Sequence, residues 1–321
     1  MTSDGAGDGA SDGGRTLLTG WFSLVDGEVT AGDVLALDRV RHVLDEAGMR
    51  YDVAWSPRFE PRGRAIDDIR PEDYGLLVFV CGPVHGPRIA ELHERFAHCR
   101  RVAVGVSAID RGDPALTGFH EVLARDGTSG QPTRDLSLRA PRGAATPVVG
   151  VLLTSGQREY GDARLHDVVA ASVRDWLAGK DCAPVVLESR LDSRDGLLCG
   201  TAEQFQSVVE RLDAVVTDRL HGLVLALRGG VPAIAIDPVR GGAKVSAQAR
   251  ACRWPALVPG ERVDARRLDV WLTWCLDRGR VAARRRRDEL IGAPDRADEL
   301  VAALRAPDAG GMSSAAPGVG S

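Results

Sequence analysis

The sequence predicts an α/β protein made of two doubly wound, Rossmann-like domains, and three observations carry that expectation. Short β-rich runs alternate with helical segments along nearly the whole chain. The alternation fades between Ile109 and Thr146, where Gly, Pro, Asp and Thr dominate, and restarts at Pro147. At 321 residues the chain is also longer than one core usually fills, so two domains of roughly 150 residues are expected. The domains are placed at 15–145 and 146–306, with the linker near Gly143–Pro147. Residues 1–14 and 307–321, rich in Gly, Ser and Ala, are expected to be disordered tails.

In the first half the expected strands are Thr16–Thr19, Tyr51–Trp55, Leu76–Val80 and Arg101–Val106. A helix from about Asp33 to Ala47 places Leu37, Val40 and Leu44 on one face, and another follows Val80 with Ile89, Leu92 and Phe96 inward. In the second half Pro147–Leu153 and Val185–Glu188 read as strands. Asp167–Leu177 reads as a helix burying Val169, Val173 and Trp176, and Ala202–Leu212 as one burying Phe205, Val208, Val209 and Leu212. A long terminal helix, about Ala265–Leu290, closes the chain. Two such domains facing a cleft would form a GT-B-like arrangement.

Composition narrows the function classes. The hydrophobic fraction is 44% and the charged fraction 27%, as in ordinary globular proteins. A net charge of -4 favours neither nucleic acid nor an acidic membrane. Cys81, Cys99, Cys182, Cys199, Cys252 and Cys275 show no metal-ligand spacing and read as thiols of a reducing cytoplasm. No apolar run approaches the roughly 18 residues of a membrane span, and the first residues lack a signal-peptide pattern, so a cytoplasmic protein is expected. The oligomeric state stays open.

Asp213–Trp254 carries the chemistry. It reads as a strand (Ala214–Val216), then Thr217-Asp218-Arg219-Leu220-His221-Gly222, an apolar helix over Leu223–Leu227, a Gly229-Gly230 stop, a second strand (Val231–Ile236) and a Gly241-Gly242 loop into another helix. Ligands of open α/β sheets bind beyond the carboxyl ends of the strands, and helix N-termini favour anions. Arg219 offers a planar donor fork and His221 a proton near neutral pH. Strand alternation would point both the same way, with Gly222 admitting a ligand to the helix N–H groups. The structural alternative is an Arg219–Asp218 ion pair with His221 capping a strand end. The Gly241 and Gly242 amides form a potential anion nest beside Lys244. Lysine is scarce in this chain: Lys180 and Lys244 stand among 39 arginines.

Secondary candidates are Asp33, opening the first helix after Gly32 as a base or an acceptor-hydroxyl contact, and His85, ending a strand in Cys81-Gly82-Pro83-Val84-His85-Gly86. Arg125, beside Asp126, and Arg158, after Gly156-Gln157, could add positive charge to a cleft. The run Arg284–Arg287 reads as a solvated face. No GxGxxG follows the first strand, GxxxxGK with Ser or Thr and HExxH are absent, and no GxSxG follows an expected strand. A nicotinamide dehydrogenase, P-loop kinase, zincin or α/β-hydrolase is not expected.

Arg219-Leu220-His221-Gly222, its apolar helix, Gly230-Val231-Pro232, the next strand and Lys244 together resemble the polysaccharide pyruvyl transferase family. Thr19-Gly20 followed by Gly32-Asp33 resembles its N-terminal strand, glycine loop and Gly-Asp helix start, here with a longer insert over Trp21–Ala31. The resemblance implies transfer of a pyruvyl group from phosphoenolpyruvate to sugar hydroxyls, in cell-surface polysaccharide biosynthesis. It gives Arg219 the donor's charged groups, His221 the acid role, and Lys244 with the Gly241 and Gly242 amides the phosphate. The partners it implies are a small-molecule donor and a glycan acceptor, with no cofactor or metal. A GT-B glycosyltransferase using a nucleotide sugar, and a non-catalytic relative of the family, are the alternatives.

Overall fold

The structure, a computed structural model, describes residues 15–24, 29–127, 130–154 and 158–305. The expected tails, and the pair Gly156-Gln157, lie outside them. The chain divides into two compact units, one ending at Gly143 and the other beginning at Ala144. Each unit holds a parallel sheet with helices on both faces, so the fold is a two-unit doubly wound α/β architecture.

The first unit has strands β1 (Thr16–Thr19), β2 (Tyr51–Trp55), β3 (Arg64–Ala65), β4 (Leu76–Val80), β5 (Arg100–Ala108) and β6 (Glu121–Gly127) in the order 3-2-1-4-5-6. Every pairing is parallel, with Leu17 of β1 between Asp52 and Leu77. Alternation along β1 sends Leu17 and Leu18 to opposite faces. Leu17 joins Leu77, Phe79, Ile89, Leu92 and Phe96 under α2 (Pro87–Arg95), with Ala115 of the short α3 (Pro114–Thr117). Leu18 meets Leu37 and Val80 under α1 (Ala31–Glu46). The sequence missed β6 because it is an edge strand, and its half-exposed residues include Glu121, Arg125 and Asp126.

The second unit has β7 (Val148–Leu152), β8 (Ala183–Val186), β9 (Ala214–Thr217), β10 (Ala233–Asp237) and β11 (Leu257–Pro259) in the order 11-10-9-7-8. On one face Leu152, Val215, Ala233 and Ala235 pack against α5 (Ala202–Val209), α6 (Leu220–Arg228) and α7 (Lys244–Ala251). On the other, Val149, Val151, Val216 and Ile234 pack against α4 (His166–Leu177) and α8 (Ala265–Trp274). A wide turn at Cys275–Gly279, where Gly279 abuts Pro232 and Trp274, joins α8 to α9 (Arg280–Ile291). An exposed helix α10 (Arg296–Arg305), which the sequence reading omitted, follows. The second strand of this unit lies two residues earlier than expected, at Ala183–Val186. Its register against β7, Val148 to Ala183, overrides the local β-branched cluster.

The four residues of β9 are all buried, as a central parallel strand requires. The helix that follows begins at Leu220, three residues before the apolar run that announced it, with Arg219 as its N-cap. Helical geometry therefore replaces strand alternation from Leu220 onward, so Arg219 and His221 do not project in parallel. Gly222 is buried against β9: a Cβ there would collide with Thr217 Oγ1 and crowd Leu152 Cδ2. Its role is close helix–strand packing, which corrects the expectation that it admits a ligand.

We predict that Gly222→Ala destabilises the second unit by about 1–3 kcal/mol, the usual cost of overpacking, lowering Tm by several degrees. Thermal unfolding checks this, and an unchanged Tm would show that α6 sits loosely on β9.

Candidate functional site

Counted from β7, the second sheet has the order 2-1-3-4-5, and its topological switch point lies between β7 and β9. The Thr217 hydroxyl bridges the two strand ends, donating to the Leu152 carbonyl at 2.8 Å and accepting from the Arg219 N–H at 3.0 Å. Asp218 follows in the crevice, 1% exposed. Its Oδ1 accepts from the Thr154 N–H at 2.7 Å, while Oδ2 has no partner among the described residues. Burial pushes its carboxyl up to about 6, against the pull of Thr154 and Arg219.

Arg219 turns toward the end of β8. Its Nη1 donates to Glu188 Oε1 at 3.0 Å and Ser189 Oγ at 2.7 Å, and its buried Nε has no partner among the described residues. The ion pair is thus with Glu188 rather than Asp218. Glu188 is held below the usual carboxylate range, first by the Arg190 backbone N–H and then by Arg219. His221, in the first turn of α6, is exposed.

Lys244 is the first residue of α7, one strand over on the same carboxyl edge. Its ammonium stands 5.9 Å from the Tyr160 ring centroid, a cation–π distance, with no carboxylate partner among the described residues. The Tyr160 ring also neighbours His166, fully buried, with ring centroids 6.3 Å apart. Neither His166 nitrogen has a partner among the described residues. Burial pulls its pKa down, and Arg164 and Lys244 push the same way.

The glycine nest is a correction. Gly241 N–H already donates to Glu261 Oε1 at 2.5 Å, and Gly242 N–H to the Val239 carbonyl at 2.9 Å. The start of α7 is neutralised from within: Asp237, 1% exposed, accepts from Ala243 N–H and Ser246 N–H at 2.7 Å each. The amides of the helix start are thus taken by a buried carboxylate, and of the groups assigned to the phosphate the Lys244 ammonium alone is left without a carboxylate or carbonyl partner among the described residues.

Asp33, His85 and Arg125 converge elsewhere, on a pocket of about 460 Å³ lined by first-unit residues, with Trp21, Thr30 and Cys81. The pocket lies beyond the carboxyl ends of β1 and β4, the switch point of the 3-2-1-4-5-6 sheet. Asp33 closes a capping box: its Oδ2 accepts from the Thr30 N–H at 3.1 Å and the Thr30 hydroxyl at 2.7 Å. Arg125 does not add free positive charge. Asp126 at 2.7 Å, Asp135 at 2.5 Å and Ser107 Oγ at 2.9 Å share its guanidinium, and the two carboxylates raise its pKa, Asp126 most. Cys81, directly after β4, has φ +62, a left-handed conformation unusual for a residue with a side chain. Arg158 opens the turn Arg158–Ala163 of the second unit, and its side chain lies outside the described part.

Sequence reasoning passed over Asp218, His166, Trp21 and Cys81. Asp218 carried a signal, a carboxyl directly after four apolar or small residues of a buried strand. His166 carried none, because its neighbours Tyr160 and Lys244 come from separate segments. No group of three or more potential metal ligands occurs among the described residues. No helix among them is long and apolar enough to cross a membrane.

Residues 181–238 match the polysaccharide pyruvyl transferase family model. That segment runs from β8 through α5, β9 and α6 to the end of β10, and includes Arg219, His221 and Gly222; Lys244 lies beyond it. No curated protein matches the chain. Among solved structures, the spinosyn forosaminyltransferase SpnP is 13% identical with a TM-score of 0.34, covering 91% of this chain and 98% of its own. The spinosyn rhamnosyltransferase SpnG, complexed with thymidine diphosphate, is 12% identical with a TM-score of 0.33, covering 90% and 100%. The glycosyltransferase SnogD from Streptomyces nogalater is 14% identical with a TM-score of 0.31, covering 90% and 99%. The fold assignment rests on the two sheets themselves.

Asp218 makes stability depend on pH in a defined direction. Its folded pKa lies above the ordinary carboxylate value, so the folded state holds the proton more tightly than the unfolded chain. Below about pH 4 both states are protonated and there is no penalty. The penalty grows as pH rises to about 6, and reaches about 3 kcal/mol above it. His166, with a lowered pKa, acts oppositely, losing stability as pH falls through its unfolded value. Subtracting parent from variant isolates Asp218. In urea unfolding, the gain in stability of Asp218→Asn over the parent should be larger near pH 8 than near pH 4. A difference that does not vary with pH would place Asp218 in a solvated setting.

Proposed function

We propose that this protein transfers a pyruvyl group from phosphoenolpyruvate to a hydroxyl pair of a glycan or glycan precursor, forming a pyruvate ketal and releasing phosphate. The observation that carries this is Arg219-Leu220-His221-Gly222, inside the matched segment and at the carboxyl end of the central strand β9. Phosphoenolpyruvate presents a carboxylate and a phosphate a few ångströms apart, which asks for two separately placed cations. Arg219 follows β9 and Lys244 follows the adjacent strand β10, so the two cations come from neighbouring strand ends.

In this scheme Arg219 takes the donor carboxylate through the part of its guanidinium that Glu188 and Ser189 leave open. Lys244, without a carboxylate of its own among the described residues, takes the phosphate. The Gly241 and Gly242 amides, committed to Glu261 and Val239, have no part. His221 gives a proton to the methylene carbon, leaving a cationic carbon beside the carboxylate. An acceptor oxygen bonds to that carbon as its own proton leaves. Phosphate departs with the electrons of the C–O bond and takes up the first hydroxyl's proton, and the second hydroxyl closes the ketal, its proton returning to His221. Positioned acid catalysis of this type is worth roughly 10²–10⁴-fold.

Thermal denaturation with phosphoenolpyruvate and with a panel of nucleotide sugars tests the donor class, because a ligand stabilises the state that binds it. The expected result is a Tm increase with phosphoenolpyruvate, and phosphate release on adding an acceptor. Stabilisation by a nucleotide sugar alone would replace this reading with glycosyl transfer. Arg219→Lys should weaken donor binding by about 1.5–3 kcal/mol, since an ammonium cannot reproduce a planar fork. Unchanged affinity in titration calorimetry would make Arg219 structural.

His221→Gln should fold normally, because the side chain is exposed, and should keep most of the donor affinity. Turnover should fall by roughly 10²-fold or more, as expected for loss of a positioned acid. Solvent deuterium should enter the product methyl group in the parent and only slowly in the variant. Normal turnover by the variant would require another acid.

A further inference from the structure

The first-unit pocket takes no part in the donor chemistry assigned to β9 and β10, and its charge is distinctive. Arg125 lines it, but Asp126 and Asp135 both pair with that guanidinium, and Asp33 adds a third carboxylate. The charged lining is thus the Asp33 carboxylate and a guanidinium already matched by Asp126 and Asp135, which themselves are not lining residues, so the balance at the wall is negative. The Cys81 thiol reflects this: burial first, then the Asp33 and Asp135 carboxylates, push it up to about 11, so it stays neutral. An anion would enter against this field.

The remaining wall is a fixed aromatic face. The Trp21 indole N–H donates to the Pro83 carbonyl at 2.9 Å. Gly82, with φ +75, lies so close that a Cβ would strike the indole. The exposed His85 ring stands 6.2 Å from Trp21. A volume of about 460 Å³ suits one small organic ring and not an extended dinucleotide. A rigid apolar face beside acceptor-only carboxylates fits a molecule with C–H groups on one side and hydroxyl donors at its edge.

We infer that this pocket binds a neutral pyranose ring, laid on Trp21 with a hydroxyl donated to Asp33, and excludes rings carrying a carboxylate or phosphate. Naming that ring as the acceptor sugar rests on the proposed transfer; the binding itself does not.

Saturation-transfer NMR on the full chain, without donor, tests it with neutral methyl hexopyranosides and the matching methyl hexuronosides. The neutral glycosides should bind about tenfold more tightly than the charged ones, the equivalent of about 1.4 kcal/mol. Trp21→Ala should remove the transfer, and His85→Ala, at an exposed position, should weaken it with the circular dichroism unchanged. Asp33→Asn, which keeps an acceptor oxygen for Thr30, should narrow the neutral-to-charged gap. Equal or tighter binding of the hexuronosides, no binding by any neutral glycoside, or transfer indifferent to Trp21 and His85 would overturn the inference. Sugar binding without phosphoenolpyruvate-dependent phosphate release would instead remove the proposed transfer and leave the pocket standing.

Discussion

The close seat of α6 on β9 is the constraint on which the second unit's carboxyl edge depends. Gly222 presents no Cβ to Thr217, so the first turn of the helix can lie against the strand it leaves. That leaves the Thr217 hydroxyl free to tie the ends of β7 and β9 together through Leu152 and Arg219. Asp218 is then held in the switch-point crevice, Arg219 becomes a helix cap aimed at Glu188, and His221 is left on the exposed side of the first turn. A looser helix would release all three.

The two switch points differ in how their cations are paired. In the second unit, Arg219 and Lys244 reach the edge from adjacent strands, and Lys244 stands over the Tyr160 ring with no carboxylate partner among the described residues. In the first unit, the guanidinium in the pocket wall is saturated by two carboxylates and a hydroxyl. The same crevice position in related topologies thus holds an ammonium without a carboxylate partner among the described residues in one unit, and a carboxylate-paired guanidinium in the other. Topology sets where a ligand goes, and the local balance of charge sets which ligand it is.

Buried polar groups mark the second site as well as its cations do. Asp218 Oδ2, Arg219 Nε and both nitrogens of His166 lack partners among the described residues, an expensive condition inside a packed unit. Asp237 is the contrasting case, equally buried but with its oxygens taken by three backbone N–H groups. One carboxylate completes a helix start, and the other carries a raised pKa beside the central strand.

The alternation of apolar strands and amphipathic helices was enough to read two doubly wound units, the buried β9 and the Arg219-Leu220-His221-Gly222 segment, because burial on both faces leaves a continuous apolar signature. The edge strands β6 and β8 were missed or displaced, since their residues are half solvated and only pairing with β5 and β7 makes them strands. Local sequence also could not say that the amides of Gly241 and Gly242 were already taken, because their acceptors are Glu261, twenty residues on, and the Val239 carbonyl, which only the folded turn brings round. Nor could it join Asp33, Cys81, His85 and Arg125 in one pocket, or bring both His166 and Lys244 to Tyr160. Periodicity reports which face of an element is buried. Which side chains share a site depends on the order of strands in the sheet, and that is set by long-range pairing alone.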